Sequence, residues 1–200
     1  MPAPALSAMA FDTPFGDLHV LATSHDETVR AAGFASLRDV AAHVPPALAS
    51  GDLGAPPIAS IGRAVNAWLD GDADALAQVP VALHGSAFFV EVWERLRTVP
   101  AGEAVTYQEL AQMAGRPRAM RAVGTACARN TVGLFVPCHR VIASGGRLGG
   151  YGFGGPGIKA RLLRHEGVRV ADAVVTETSR VGGTADARVA TAPERPAGQW

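Results

Sequence analysis

The spacing of apolar residues changes near Ser86, and this change constrains the fold more than any other feature of the chain. Before it, residues 11–34 contain two short alternating runs separated by a polar turn, which predicts a β-hairpin. After it, apolar residues recur at the spacing of a helix: Phe88, Val92, Trp93 and Leu96. We therefore expect an α+β protein with a small antiparallel sheet in its N-terminal part and a mostly helical C-terminal part.

The charge changes at the same place, so we put a domain boundary there. Residues 1–85 carry 3 basic and 9 acidic side chains, whereas residues 86–170 carry 12 basic and 5 acidic ones. The first segment also predicts a helix over residues 61–69 and a short strand over 79–83. Residues 171–200 lack a clear period, and we expect a flexible tail there. A basic segment beside an acidic one is typical of polyanion-binding proteins, and the alternative is a solvated surface that happens to be basic.

Composition excludes several classes of protein. With 48% hydrophobic and 18% charged residues, the chain is expected to be globular rather than disordered. The sequence has no apolar run long enough for a membrane span and no basic residue before Arg30, so we predict a cytoplasmic protein without a membrane anchor. Its two cysteines, Cys127 and Cys138, form neither a disulfide framework nor a CxxC metal motif.

Local capping and turn signals in the sequence predict two consecutive helices. Residues 106–109 (TYQE) form a capping box that opens a helix over residues 107–114, and Gly115 ends it. Pro117 suits the first turn of a second helix over residues 118–129. The pair predicts a helix-turn-helix, although such pairs also occur in proteins that do not bind DNA.

The second of these helices carries small residues between three arginines, Arg118, Arg121 and Arg129. Small side chains allow either a close approach to a ligand or close helix packing in a core, and both readings stay open here. Three arginines cannot all be buried unpaired, so part of this helix is expected to face solvent or an anion. The small residues are Ala119, Ala122, Gly124, Thr125, Ala126 and Ala128.

Residues 137–140 (PCHR) form the candidate reactive site. A cysteine is a nucleophile only as its thiolate, and His139 and Arg140 supply a base and a cation next to Cys138. Adjacent side chains point apart in an extended chain, so we expect His139 to reach the sulfur through a water molecule. Glu166 is the candidate carboxylate that holds the imidazole. A structural cysteine beside a surface histidine explains the tripeptide as well.

The same motif resembles the active site of the O6-alkylguanine-DNA alkyltransferases. The similarity runs from near Asp12 to Gly167 in the order of that family. Besides the cysteine motif, it includes residues 105–111 (VTYQELA), 121–124 (RAVG), 129–130 (RN), 150–151 (GY) and 165–167 (HEG).

The resemblance implies that Cys138 accepts an alkyl group from guanine O6 in one irreversible displacement. His139 would act through water, Glu166 would orient it, and Tyr107 would donate a hydrogen bond to the guanine. Arg121 would fill the gap left by a flipped nucleotide. Asn130 would be the hinge between the recognition helix and the cysteine.

The family also implies how DNA and the base are held. The second helix would enter the minor groove of double-stranded DNA with low sequence specificity, through Arg118, Arg129, Ala122, Gly124 and Thr125. Val141, Tyr151 and Gly152 would line the base pocket, and Lys159 would be structural. We expect a monomer that needs no cofactor and, with no cysteine before Cys127, no zinc. The loop over residues 152–157 (GFGGPG) looks longer than in the family, which leaves the accepted alkyl size open.

Two other functions are weighed against this one. A damage-recognition protein would bind the lesion without transfer, but such relatives replace the motif cysteine. A cysteine hydrolase using Cys138 and His139 would need an oxyanion site and would release many product molecules per protein.

Overall fold

The computed structural model describes residues 5–49 and 53–178, and its first element is an antiparallel sheet in the order β1-β2-β3. The predicted hairpin is confirmed as β2 and β3, which pair from His19↔Gly33 to Thr23↔Thr28. A further strand, β1, pairs along the other edge of β2 and was not predicted. The strands are Leu6–Phe11 (β1), Leu18–Thr23 (β2) and Thr28–Gly33 (β3).

Three helices follow the sheet. The longest, α3, buries Ile61, Val65 and Trp68, and these side chains belong to the same core cluster as the inner residues of β2. The predicted helix over residues 61–69 is therefore confirmed, with a start two residues earlier. The predicted strand over 79–83 is reduced to one parallel bridge between Val29 and Val81. The helices are Leu37–Ala41 (α1), Pro46–Ala49 (α2) and Ala59–Leu69 (α3).

The remaining part is mostly helical. The predicted capping box is confirmed, because Thr106 Oγ1 accepts from the Glu109 amide at 3.1 Å and Glu109 Oε2 accepts from the Thr106 amide at 2.6 Å. The next helix begins later than predicted, because residues 116–119 form a turn closed by the Ala119 amide on the Arg116 carbonyl. The helices are Ala87–Arg97 (α4), Tyr107–Met113 (α5), Met120–Ala128 (α6) and Gly155–His165 (α7).

Two short strand pairs complete the described chain. Val105–Thr106 (β4) lies parallel to Val141–Ile142 (β5), which joins the start of α5 to the backbone that follows the cysteine motif. Arg169–Ala171 (β6) and Val174–Glu177 (β7) form a hairpin. The beginning of the predicted flexible tail is thus ordered, because Val170 and Val175 pack on Leu163 and Leu148. Residues 179–200 of that tail lie outside the described residues.

The main hydrophobic core is continuous across the predicted domain boundary. One cluster contains Val20 of β2, Trp68 of α3, Trp93 of α4 and Val123 of α6. The protein is therefore a mixed helix and sheet structure with a small antiparallel sheet. None of the helices in residues 5–49 and 53–178 has the length and apolar character needed to cross a membrane.

Candidate active site

Cys138 lies at the wall of a cavity of about 350 Å³. It begins a single 3-10 turn, Cys138–Arg140, that leads directly into β5. The residue is 6% exposed, so its sulfur is reached through this cavity rather than from the open surface. Clefts that bind small molecules have volumes of roughly 300–1,000 Å³, and this one lies at the lower end of that range. The cavity is lined by Tyr107, Gly124, Cys127, Ala128, Cys138, Gly150, Tyr151 and Gly152.

The Asn130 side chain holds the sulfur and the backbone that carries it. Its Nδ2 atom donates to the Val136 carbonyl at 2.9 Å and to Cys138 Sγ at 3.3 Å. Its Oδ1 atom accepts from the Val132 amide at 3.0 Å. Asn130 itself follows the end of α6, so one buried amide connects that helix to the cysteine.

His139 and Glu166, predicted to lie together, meet in the interior. His139 Nε2 lies 3.1 Å from Glu166 Oε1, a close contact that falls outside hydrogen-bond geometry. Both side chains are fully buried. Among the described residues, no protein atom forms a hydrogen bond with His139 Nδ1, so this nitrogen is able to engage a water molecule or a ligand.

From its place in the sequence, we expected Arg140 to act as a cation beside the Cys138 sulfur. In the structure its guanidinium is instead bound to Glu166. Its Nε and Nη2 atoms donate to the two carboxylate oxygens of Glu166 at 2.9 and 2.8 Å. Its Nη1 atom donates to the Val99 carbonyl at 2.6 Å. The physical reason is that a buried carboxylate needs a paired cation, and the planar guanidinium matches it with two bonds.

A fourth contact reaches Glu166 from the N-terminal part of the chain. The Trp68 indole N–H, on α3, donates to Glu166 Oε1 at 3.4 Å. Sequence reasoning missed this contact, because a tryptophan on the apolar face of a helix reads as a core residue. Burial acts to raise the pKa of Glu166, but His139 and Arg140 outweigh it and hold that pKa well below its ordinary value.

The electrostatics leave both the imidazole and the thiol neutral in the free protein. Burial lowers the pKa of His139, although Glu166 acts in the opposite direction. Burial also raises the pKa of the Cys138 thiol, while the Asn130 hydrogen bond and Lys159 act to lower it. A buried neutral thiol needs a base to become a nucleophile, and a neutral imidazole is able to act as one.

Lys159 is buried and ties together the backbone around the site. Its Nζ atom donates to the carbonyls of Val141 and Leu148, each at 2.5 Å, and to that of Gly150 at 3.3 Å. Burial lowers the pKa of this ammonium to about 8. Val141, predicted to line the base pocket, is not among the residues of the cavity wall, and its carbonyl is engaged by Lys159.

The other predicted pocket residues do line the cavity. Tyr107 stands at the start of α5, where the capping box and the β4–β5 pair fix it, and burial raises the pKa of its hydroxyl. Tyr151 is buried, and its hydroxyl has no hydrogen-bond partner within residues 5–49 and 53–178. Cys127 was not predicted to belong to the site. Burial raises the pKa of its thiol to about 12, which leaves it unreactive near neutral pH.

The outer face of α6 lies beside the mouth of the cavity. Val123 and Ala126 face the core, and the Trp93 indole N–H donates to the Ala126 carbonyl at 2.9 Å. Ala122 and Gly124 are half-buried, and the space over Gly124 is open for 4 Å. The predicted DNA-contacting residues that are exposed are Arg118, Arg121, Thr125 and Arg129.

Known proteins are similar to this chain in sequence. Residues 87–168 match a family model described as the DNA-binding domain of 6-O-methylguanine DNA methyltransferase. The methylated-DNA–protein-cysteine methyltransferase of Homo sapiens is 40% identical over 127 residues, which are 58% of this chain and 61% of that protein.

Solved structures extend the likeness beyond the matched domain. The crystal structure of Mycobacterium tuberculosis O6-methylguanine methyltransferase is 32% identical, with a TM-score of 0.63, and the alignment covers 80% of this chain and 92% of that one. A structure of Mycobacterium tuberculosis OGT in complex with DNA is also 32% identical over the same shares, with a TM-score of 0.61.

The aligned stretches span between a quarter and about three fifths of the curated relatives' own lengths. The structural alignment, in contrast, takes in nearly the whole of the Mycobacterium tuberculosis protein at more than 30% identity. The agreement of sequence, fold and family model shows that this chain belongs to the O6-methylguanine-DNA methyltransferase family.

Proposed function

We propose that the protein repairs DNA by transferring an alkyl group, chiefly methyl, from guanine O6 to Cys138 Sγ. The observation that carries this proposal is the position of the sulfur at the wall of a 350 Å³ cavity, held by Asn130, with the buried His139–Glu166 pair beside it. The relative with 40% identity is named a methylated-DNA–protein-cysteine methyltransferase, which supports the same reaction.

The reaction is a single displacement at carbon. The thiol proton passes through a water molecule to His139, the S–C bond forms, and the C–O6 bond breaks with its electron pair on the guanine. The guanine then takes up one proton and is restored. The resulting thioether cannot be hydrolysed, so each molecule accepts one alkyl group and is spent.

The buried charges suit this proton transfer. A neutral His139 is able to accept a proton, and the adjacent Glu166 carboxylate stabilises the imidazolium that results. Arg140 and Trp68 hold the carboxylate in place. Glu166 therefore acts as a positioning and charge-stabilising group rather than as the base itself.

The cavity wall supplies the contacts for the base. Tyr107 would donate a hydrogen bond that stabilises the charge leaving on the guanine. The carbonyl of Cys138 and the backbone at Tyr151 and Gly152 would hold its polar edge. O4-methylthymine presents a similar O-methyl group, and we include it as a second substrate.

Duplex DNA would be bound by α5 and α6 acting as a helix-turn-helix. A nucleophile at a buried wall cannot reach a stacked base, so the target nucleotide must swing out into the cavity. We place α6 in the minor groove, where Ala122, Gly124 and Thr125 allow close approach without sequence readout. Arg121 would fill the vacated place in the stack, and Arg118 and Arg129 would contact phosphates, which makes binding weaker as salt rises.

All the groups in this scheme come from one chain, so we propose that the protein acts as a monomer. We also propose that it acts in the cytoplasm. Residues 86–170 would carry the acceptor and the DNA-binding helices, and residues 1–85 would form a supporting domain that reaches the site through Trp68. The scheme uses no metal and no cofactor.

Intact-mass measurement tests the reaction directly. After incubation with duplex DNA that contains O6-methylguanine, the protein should gain the mass of one methyl group and no more, however large the excess of DNA. Cys138→Ala should gain none, while Cys127→Ala, which removes the other thiol of the cavity, should still be methylated. An unchanged mass of the native chain, or a methyl group on Cys127, would refute the proposal.

A further inference from the structure

The Trp68 side chain reaches the reactive site from the N-terminal part of the chain. It is fully buried near the end of α3, and its indole N–H donates to Glu166 Oε1 at 3.4 Å. The same oxygen atom lies 3.1 Å from His139 Nε2 and accepts from Arg140 Nη2 at 2.8 Å. One carboxylate oxygen therefore faces three nitrogen atoms, and one of the three comes from a helix outside the cysteine-bearing segment.

The Trp68 ring is held in place by its neighbours on two elements. Its centroid lies 5.5 Å from that of Phe15 and 4.5 Å from that of His165. His165 Nε2 also donates to the Trp68 carbonyl at 2.8 Å. Because His165 directly precedes Glu166 at the end of α7, the contacts that fix the indole are made with the same end of the helix that positions the carboxylate. Packing therefore sets the direction in which the indole N–H points.

The Glu166 carboxylate does not need Trp68 for charge compensation. Arg140 already binds both of its oxygens, through Nε to Oε2 at 2.9 Å and Nη2 to Oε1 at 2.8 Å. Such a pair with two parallel bonds is a strong partner for a buried carboxylate. The indole N–H adds a dipole whose positive end points at the oxygen nearest to His139. A positive charge on the imidazole is less favourable there than it would be without this dipole.

Groups of both charges surround the His139 imidazole. Burial, Arg140 and Lys159 favour its neutral form and outweigh Glu166, so the pKa of His139 lies below its ordinary value. The Tyr151 ring meets the imidazole edge-on at 6.3 Å between centroids, and burial keeps its hydroxyl neutral by raising its pKa. Of these groups only Glu166 favours the charged imidazole. A change at the carboxylate oxygen that faces His139 therefore acts directly on the charge of the imidazole.

We infer that Trp68 is a positioning residue of the proton relay: its indole N–H, donated to the carboxylate oxygen that faces His139, keeps the imidazole neutral and so able to accept the thiol proton. This inference rests on the proposed alkyl transfer. Without the N–H, Glu166 Oε1 would attract a proton on His139 more strongly, and more molecules would carry an imidazolium near neutral pH. An imidazolium cannot accept the proton of the neutral Cys138 thiol, so those molecules would not react.

The first test follows single-turnover methyl transfer to Cys138 by intact mass over a range of pH, with saturating duplex DNA that contains O6-methylguanine. The acid limb of this rate profile reports the imidazole in the complex. We expect Trp68→Phe, which keeps an aromatic ring and removes the N–H, to move the midpoint of that limb upward by at least about 0.5 pH unit. Above about pH 8 the variant should come within about twofold of the native rate, because the imidazole is neutral in both.

A second replacement keeps the shape of the side chain. Benzothienylalanine introduced in place of Trp68 retains the two fused rings and carries sulfur where the indole has its N–H. It removes the donor without opening a cavity, so the core stays filled. The midpoint should shift upward as in Trp68→Phe, even where the phenylalanine variant is less stable.

The matched control is Trp93→Phe. Trp93 is also buried, but its indole N–H donates at 2.9 Å to the backbone carbonyl of Ala126 rather than to Glu166. Any rate that this variant loses should be lost equally at every pH, with the midpoint unchanged. NMR titration of the His139 ring adds a measurement that needs no DNA. Its midpoint should rise in both Trp68 replacements and stay at the native value in Trp93→Phe.

The outcomes distinguish this inference from the proposed function. If the native chain accepts methyl while both Trp68 replacements leave the His139 midpoint unchanged, the inference alone is overturned. It is overturned as well if they lower the rate equally at every pH, as Trp93→Phe should, because Trp68 is then merely structural. If the native chain accepts no methyl group, the proposed function fails. The NMR midpoint then still supports control of the imidazole by Trp68 if it rises, and overturns it if it does not.

Discussion

At the scale of single residues, the site consists of buried polar groups that compensate one another. Glu166 contacts His139, Arg140 and Trp68, and each of these contacts offsets part of the cost of removing the carboxylate from water. The sequence predicted Cys138, His139 and Glu166 because a nucleophile, a base and a carboxylate are recognisable by type. It did not predict the direction of Arg140, which is decided by the position of a residue 26 places away along the chain.

Glu166→Gln should lower stability mostly at neutral pH. Removing the charge leaves Arg140 buried without its partner, and we expect a loss of about 3 kcal/mol in the free energy of unfolding. The pKa of Glu166 in the folded protein is far below its unfolded value of 4.5, so the carboxylate stabilises the fold fully above pH 4.5, and this contribution is lost progressively as the pH falls from there toward the folded pKa. Urea unfolding at a series of pH values should therefore show the native and variant curves converging in acid.

The matched control is Glu94→Gln, which removes an exposed carboxyl on α4. It should give a curve parallel to that of the native chain throughout. The interpretation of Glu166 would be wrong if its variant stayed equally destabilised at every pH.

At the scale of elements, α6 is held from within and left open outside. The Trp93 indole fixes its inner side through the Ala126 carbonyl, and Val123 is buried beneath it. The sequence allowed two explanations for the small residues of α6: packing in the core or close approach of a ligand. The structure shows that they serve different purposes, because Ala126 faces the core, whereas the space over Gly124 is open. Only the tertiary contacts distinguish the buried small residues from the open ones, since small residues show no strong apolar periodicity in the sequence.

Arg121→Ala should slow repair of duplex DNA much more than reaction with free O6-benzylguanine. A stacked duplex resists extrusion of the base, and the side chain that fills the gap is not needed when the base is already free. We expect at least about a tenfold loss on duplex DNA, equivalent to roughly 1.4 kcal/mol, and little change with the free base. Rates of methyl or benzyl transfer measured by mass would show the difference.

Arg95→Ala removes the same charge from an exposed position near the end of α4 and serves as the control. Its effect on duplex repair should be small. Equal losses for Arg121→Ala on both substrates would contradict the proposed role in base flipping.

At the scale of the whole molecule, one core joins the parts that the sequence divides at residue 86. Trp68 and Trp93 lie on either side of that boundary and belong to the same cluster. The helices on each side were predictable from apolar spacing and caps. Strand β1 was not, because its sequence, LSAMAF, neither alternates clearly nor forms a helical face.

Thermal unfolding should occur in a single transition. With a shared core, neither part retains its buried surface once the other unfolds, so we expect the calorimetric and van't Hoff enthalpies to agree. Differential scanning calorimetry provides the measurement. Two resolved peaks, or a calorimetric enthalpy well above the van't Hoff value, would show that the two parts unfold separately.

The position of Glu166 near the end of the described chain has a consequence for biosynthesis. A ribosome that has translated as far as Cys138 and His139 has not yet made Glu166, which His139 contacts, or the helix α7 that precedes Glu166. The Trp68 and Arg140 side chains, which contact Glu166 in the folded protein, also lack this partner at that stage. The pocket is therefore complete only after α7 has left the exit tunnel, and a nascent chain that has not yet reached α7 is expected to lack the proposed acceptor activity.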